Sequence, residues 1–261
     1  MNAIAKDDAQ KNNLFLVGAD FALRLHHLTQ YTMRRSKNYK AAKDLLTKEA
    51  YSVDEAIKLL LESAKTKFDG SCEVHMHLGI DPKQADQALR GTMNLPHGTG
   101  KKVKIAAFVP EDKVKECKDA GAIEAGADDL IEKVSKGWLD FDIAVATPDM
   151  MKNIGKVAKT LGQKGLMPNP KSGTVTPEPG KVIGELMKGK IEYRNDKLAN
   201  LHNIFGKVSF GEAKLKENLD AYLKTIVDVK PSGIKGTYIK SATITSTMGP
   251  GIALDLAGVS K

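Results

Sequence analysis

The sequence predicts an α/β chain of two domains: an α+β antiparallel-sheet domain formed by both chain ends, and an inserted Rossmann-like domain of three α/β layers. Three observations point there. Residues 72–80 alternate apolar and polar positions, as a half-buried strand does. From Lys101 onward, short and nearly continuous apolar runs alternate with helical stretches, the pattern of a small parallel sheet covered by helices. Glycines punctuate both junctions, Gly98 and Gly100 on the way in and Gly189 on the way out. The expected boundaries are 36–98 with 189–261 for the flanking domain, 99–188 for the insert, and 1–35 for an N-terminal extension.

The extension is read as disordered. Residues 14–25 resemble a signal-peptide core, but Asp20 and Arg24 interrupt it and Asp7 and Asp8 spoil a basic leader. Met33 then opens a basic segment and lies nearer the expected functional start. Ser52 and Glu55 form a capping box before an amphipathic helix that carries Val53, Ala56, Ile57, Leu60, Leu61 and Ala64 on its apolar side. The strand at 72–80 follows, with Cys72, Val74, Met76, Leu78 and Ile80 on one face and Glu73, His75 and His77 on the other. Residues 91–95 continue extended.

Within the insert, 103–109 and 141–146 read as buried strands, and 111–120, 128–135 and 149–160 as helices. The last helix should end at Gly162, a natural left-handed cap. Residues 161–175 (LGQKGLMPNPKSGTV) then form a stiff loop in which Pro168 and Pro170 forbid helix. Lys164, Met167 and Lys171 should be exposed on it, and the stretch reads equally as a connector or a binding loop. A short helix at 181–188, strands at 191–194 and 204–210, an amphipathic helix at 212–227 and a strand at 238–246 complete the chain.

The 261 residues carry a net charge of +8 and a pI near 9.2, which favours an anionic partner. The excess is +2 over 1–98, +2 over 99–188 and +4 over 189–261, so most of it sits on the flanking segments. Two cysteines are too few for a disulfide framework and suit a reduced, cytoplasmic protein. No run of about 18 apolar residues exists, so no membrane span is expected.

Catalytic motifs find little support. Gly98-Thr99-Gly100-Lys101 has Leu95 where a phosphate loop needs glycine and Lys102 where it needs Ser or Thr, so a hinge is the better reading. Cys72 lies on the opposite strand face from His75 and His77, which leaves no metal site. No nucleophile elbow appears, and no cofactor is implied. The rival reading is an enzyme that binds a nucleotide on the insert. Two places suit RNA instead. Lys67-Phe68 sets an aromatic beside a cation, although Phe68 reads equally as a core residue. Ser246-Thr247-Met248-Gly249-Pro250-Gly251 offers hydroxyls, a projecting Met and close backbone approach.

Residues 161–175 closely resemble the signature of the ribosomal protein L-one family, the large-subunit protein of the mobile stalk, in its bacterial form. Matching motifs run in the same order along the chain: Lys67-Phe68-Asp69, LGIDP at 78–82, Arg90-Gly91-Thr92, LPHGTGK at 95–101, GWLDFDIAVATPDMM at 137–151, 206–210 and STMGPG at 246–251. The resemblance implies a cytoplasmic, non-enzymatic protein, monomeric within the large ribosomal subunit. Its partners would be a stalk of 23S rRNA, the exit-site tRNA it helps to release, and an mRNA of its own operon that it can repress. It also implies an rRNA surface on Lys67, Phe68, Arg194, His202, Ser246, Thr247, Met248 and Gly249, with Lys164, Met167 and Lys171 as a secondary RNA surface on the insert, away from the flanking sheet. Two departures stand out. Gln163-Lys164 replaces the family's usual Pro-Arg, and Asn203-Ile204-Phe205 follows His202 where a Pro-containing turn is common. The first 32 residues have no counterpart.

Overall fold

Period-two alternation becomes β1 (Ser71–Leu78), which buries Cys72, Val74, Met76 and Leu78 and leaves the side chains between them half-buried. The computed structural model describes residues 35–84, 86–231, 233, 234 and 236–256. The expected extension therefore lies outside the described residues, except for Arg35. In chain order, α1 (Lys37–Asp44) and α2 (Val53–Ser63) precede β1, and β2 (Arg90–Asn94) and β3 (Ile105–Phe108) follow it. Next come α3 (Glu111–Asp119), β4 (Glu124–Gly126), α4 (Asp128–Ser135) and β5 (Ile143–Ala146). The rest are α5 (Met151–Ile154), α6 (Ala158–Lys164), α7 (Pro179–Met187), β6 (Lys190–Arg194), β7 (Asn200–Lys207), α8 (Gly211–Asp228), β8 (Ile239–Ser246) and β9 (Ile252–Ala253).

The fold is mixed α/β, with antiparallel and parallel sheets. β1 and β8 are the inner strands of an antiparallel sheet ordered β7-β1-β8-β9. The buried face of this sheet packs on α2 and α8, where Ala56, Ile57 and Leu60 meet Leu215, Leu219, Tyr222 and Ile226 in one core. Each fully buried Leu or Ile there contributes about 1.5–3 kcal/mol. α2 starts at Ser52, whose Oγ accepts the Glu55 N–H at 3.4 Å. The expected reciprocal half of the capping box is replaced, because the Glu55 carboxylate takes Lys48 Nζ at 3.1 Å.

The second sheet is parallel, ordered β4-β3-β5. All four residues of β3 are buried, and their parity sorts them. Ile105 and Ala107 join Cys117, Ile183 and Leu186 of α3 and α7 on one face. Ala106 and Phe108 join Leu130, Ile131, Val134, Ile154 and Leu161 on the other. Helices thus cover both faces of the sheet, which is why its strands read as unbroken apolar runs.

Between the sheets, β2 and β6 form an antiparallel ribbon that pairs Arg90 with Arg194 and Asn94 with Lys190. Just beyond it, Gly98 and Gly189 cross with φ of +65° and +108°. A Cβ on Gly189 would lie 2.2 Å from the Gly98 Cα, so the crossing closes only without a side chain at Gly189. Asn218 of α8, fully buried, holds it. Its Oδ1 accepts the His97 N–H at 3.0 Å, and its Nδ2 donates to Gly98 O at 2.9 Å and Phe205 O at 2.8 Å. Buried members of the first core come only from 51–95 and 193–254, and those of the other two only from 105–186.

Several expectations need correction. The helix expected at 149–160 is broken into α5, α6 and two 3-10 turns, Pro148–Met150 and Gly155–Val157. It also runs past Gly162 to end at Gly165, whose φ of +71° supplies the left-handed cap. Met167 is half-buried against the core that holds Leu161, not projecting into solvent. The strand expected at 204–210 is β7, shifted to Asn200–Lys207, with a 3-10 turn at Val208–Phe210. β4 and β9 are too short for period-based reading. Among the described residues no helix is long and apolar enough to cross a membrane.

Two stability predictions follow from the crossing. Asn218→Ala leaves two buried backbone carbonyls and the part-buried His97 N–H without their partner and should cost about 3 kcal/mol in urea unfolding, at about 1–3 per orphaned group before relaxation. Gly189→Ala adds a backbone clash to a left-handed conformation and should lower stability by more than about 2 kcal/mol. A loss under about 0.5 kcal/mol, the usual range of surface changes, would contradict either account.

Candidate nucleic-acid interface

Two loops meet at one end of the antiparallel sheet. The loop before β1 carries Lys67 and Phe68, both exposed, with Phe68 59% accessible. Its backbone is held from both sides. Thr66 Oγ1 donates to Phe68 O at 2.8 Å, while the Asp69 carboxylate accepts Ser209 N–H and Oγ–H at 3.1 and 2.8 Å. Lys207 Nζ donates to Asp69 O at 3.3 Å. An aromatic left in water on a fixed backbone is the opposite of the core alternative.

The loop after β8 is stitched to the first. Ser71 N–H donates to Thr247 Oγ1 at 2.9 Å, and Thr247 N–H returns to Ser71 O at 3.0 Å. Gly249 N–H closes a tight turn onto Ser246 O at 2.8 Å. Thr245 Oγ1 lies within donating distance of Ser246 O, Gly249 O and Pro250 O, at 3.1, 3.4 and 3.2 Å. At the tip Met248 adopts φ +65° and is 81% accessible. For a residue with a side chain this left-handed conformation costs about 1–2 kcal/mol, and here it aims a large apolar group into water.

The eight expected rRNA residues divide. Lys67, Phe68, Thr247, Met248 and Gly249 come together in these loops. Ser246 does not belong with them, because its side chain is only 3% accessible and faces the turn. Gly249 is obliged by that packing, since a Cβ there would lie 2.3 Å from Ser246 Oγ. His202 lies farther along, exposed on β7, with its Nδ1 2.9 Å from Nδ1 of His75 across the strand pair. Its Nε2 is 3.7 Å from Asp196 Oδ2, whose carboxyl is held below the usual range by the Asn200 and Leu198 backbone N–H groups. Arg194 ends β6, exposed and without an ion pair among the described residues, whereas its neighbour Arg90 is held by Glu192 at 2.7 Å.

The secondary surface is not remote from this face. Lys171 and Arg194 line one groove with Arg90, Asn169 and Asn195. A larger cleft of about 740 Å³ opens between Gly165, Leu166 and Met167 on one wall and His202, Ile204 and Lys207 on the other. Lys101, Lys102, Lys188 and Lys190 also line it, with Lys101 bonded to Asp142 at 2.6 Å and Lys190 to Glu185 at 2.8 Å. Lys164 and Lys171 are exposed and Met167 half-buried. The expectation that this loop lies away from the flanking sheet is therefore corrected. The β2–β6 ribbon draws it back, and Pro170–Ser172 packs beside β2. Gly98, Gly100 and Gly189 also border the cleft.

Sequence reading missed His75 as a partner of His202, and Asp69, Ser71 and Thr245 as the groups that fix the two loops. Strand alternation placed His75 on the polar face, but pairing register between distant strands has no local signal. Both cysteines are free and buried, and burial pushes the Cys72 thiol up to about 12, which leaves it inert. Among the described residues no three His, Cys, Asp or Glu side chains converge as metal ligands would.

Comparison with known proteins gives the family. The profile of the ribosomal protein L1p/L10e family matches residues 60–250. A large ribosomal subunit protein uL1 from Nocardioides sp. is 52% identical over 224 residues, covering 85% of this chain and 93% of its own length. The uL1 proteins of Streptomyces griseus and Cutibacterium acnes are 53% and 50% identical over the same 85% of this chain, covering 93% and 97% of theirs. That match sets aside the nucleotide-binding enzyme: the family is one of ribosomal structural proteins, not of catalysts. By the breadth of the profile match and identity near one half along most of both chains, this chain belongs to the ribosomal protein L1p/L10e family.

Proposed function

We propose that the chain is a constituent of the large ribosomal subunit that binds a folded stalk of 23S rRNA through the outer face and loop end of its antiparallel sheet. The observation that carries this reading is the pairing of two exposed apolar side chains, Phe68 and Met248, on loops bonded rigidly to one another. A preformed pair of this kind stacks on bases or riboses, and fixed neighbours spare the cost of ordering it. Lys67, Arg194 and His202 supply donors and charge for phosphates, which set register and salt dependence. The side chain of Ser246 supports the turn rather than touching RNA.

The family match supports a place in the ribosome, and the cationic cleft suits further nucleic acid. In this reading the chain comprises a flanking domain (36–98 with 189–261) and an inserted Rossmann-like domain (99–188). Gly98, Gly100 and Gly189 form the hinge between them. Movement of the insert, with Lys164, Met167 and Lys171 along the cleft, would help exit-site tRNA leave. The same flanking face would recognise an operon mRNA that resembles the rRNA stalk, which gives repression without a second site. Nothing in the proposal needs a cofactor, a metal or a second copy.

Phe68→Ala and Met248→Ala should each weaken binding to a stalk rRNA fragment by about 1–3 kcal/mol, with unchanged thermal unfolding. Full affinity in both variants would remove the assignment. For the hinge, small-angle scattering of the free chain should require more than one compact shape, and one rigid envelope would count against it.

A further inference from the structure

Pairing of β1 with β7 sets His75 directly opposite His202 on the outer sheet face. Their Nδ1 atoms are 2.9 Å apart, and the ring centroids are 5.1 Å apart with planes tilted by 59°. The two ring radii take up the difference between these distances, so the nitrogens meet head-on. A head-on contact of this length is a hydrogen bond, which requires one Nδ1–H donor and one bare Nδ1 acceptor. A metal chelate would instead need both lone pairs to converge on a third point.

The outer nitrogens face carboxylates. His75 Nε2 lies 3.6 Å from Glu73 Oε2, and His202 Nε2 lies 3.7 Å from Asp196 Oδ2. On the paired strands the other neighbours add no free charge, although the cleft that His202 lines also holds Lys102, Lys188 and Lys207. His77 on β1 is bonded through Nδ1 to Asn200 Oδ1 at 2.9 Å. β8 brings Thr243 opposite His75 and Ser241 opposite His77. On β6, Glu192 is engaged by Arg90.

This arrangement limits how many protons the pair can hold. One proton can be added without breaking the hydrogen bond, on the bare outer nitrogen of the donor ring, where a carboxylate faces it. A second would set N–H against N–H and force the rings apart. Burial and the neighbouring His202 both hold His75 protonation below its ordinary range, against the pull of Glu73. In the free chain the pair is therefore poised to gain charge when an anion arrives.

We propose that His75 and His202 form one proton-sharing recognition unit for a phosphodiester, so that RNA binds this face together with uptake of a proton. The inference rests on the rRNA reading of the sheet and adds His75 to its contacts. A phosphate over the pair stabilises the imidazolium and raises its pKa in the complex. The sign follows. Affinity rises as pH falls through the pKa of the complex and levels off below that of the free pair. The slope is at most about tenfold per pH unit for one proton.

The test is calorimetry of a stalk 23S rRNA fragment binding to the full chain, in two buffers of different ionisation heat, from about pH 8 to about pH 6. The wild-type chain should take up close to one proton and bind more tightly toward the acid end. His75→Gln and His202→Gln should each take up clearly less and flatten the pH profile, with folding checked by thermal melts. Equal proton uptake in the wild type and both variants would overturn the proposal. The two readings fail separately. Affinity that survives Phe68→Ala and Met248→Ala removes the rRNA face itself. Affinity lost in those two, with proton uptake untouched by the histidine changes, removes only the pair. As an independent check, imidazole NMR of the free chain should show His75 titrating below its ordinary range, and a step at the ordinary value would also overturn it.

Discussion

Everything in this molecule depends on two glycines passing each other. Gly98 and Gly189 approach so closely that a side chain on Gly189 would drive into the Gly98 backbone, while Gly98 itself holds a left-handed φ of +65°. Close passage lets the chain leave the first core at Leu95, contribute 105–186 to the two cores on either face of the parallel sheet, and return at Tyr193 to finish the first core. The buried amide of Asn218 holds the crossing from below, with every lone pair and proton needed for three backbone partners already assigned. The crossing is thus held by backbone contact and one amide. In the proposed reading it is the hinge.

The proposed RNA face follows from the same economy. A β-sheet that buries one face on two helices has only its outer face and loop ends to offer a partner. Here the outer face is polar, while the loop end carries apolar tips held by backbone hydrogen bonds and by Thr245, Thr247 and Asp69. The strained turn at Met248 costs stability and gains nothing inside the protein, which is the usual mark of a contact surface. Charge is distributed accordingly. Two cleft lysines, Lys101 and Lys190, are already bonded to carboxylates, as is Arg90, whereas Arg194 is left for a partner.

Recognition and protonation meet at the histidine pair. An imidazole within a polar sheet face would ordinarily be one more solvated donor. Two of them head-on, each backed by a carboxylate, share a proton and so respond to an approaching anion as a unit. The pair also joins the two halves of the proposed face, since β1 leads back to Phe68 and β7 leads on to Lys207 and the cleft.

The sequence by itself determined the mixed α/β class, most elements and the family. Amphipathic period, continuous apolar strands, glycine punctuation and an ordered run of motifs are local properties, readable wherever they occur. It also placed Phe68 and Met248 at the ends of the right strands. Local patterns failed in two ways, at turns whose choice between neighbouring residues depends on packing, and where the deciding partner lies far along the chain. Gly162 stays helical because the cap falls at Gly165. Ser246 turns inward because Gly249 folds back over it. Met167 packs down on the core of the parallel sheet. The signature loop lies beside the flanking sheet because the ribbon of β2 and β6 brings it there, and His75 meets His202 only through strand register across 127 positions of sequence. Such contacts are set by closure of the crossing and the packing of helices on sheets, so only the tertiary structure decided them.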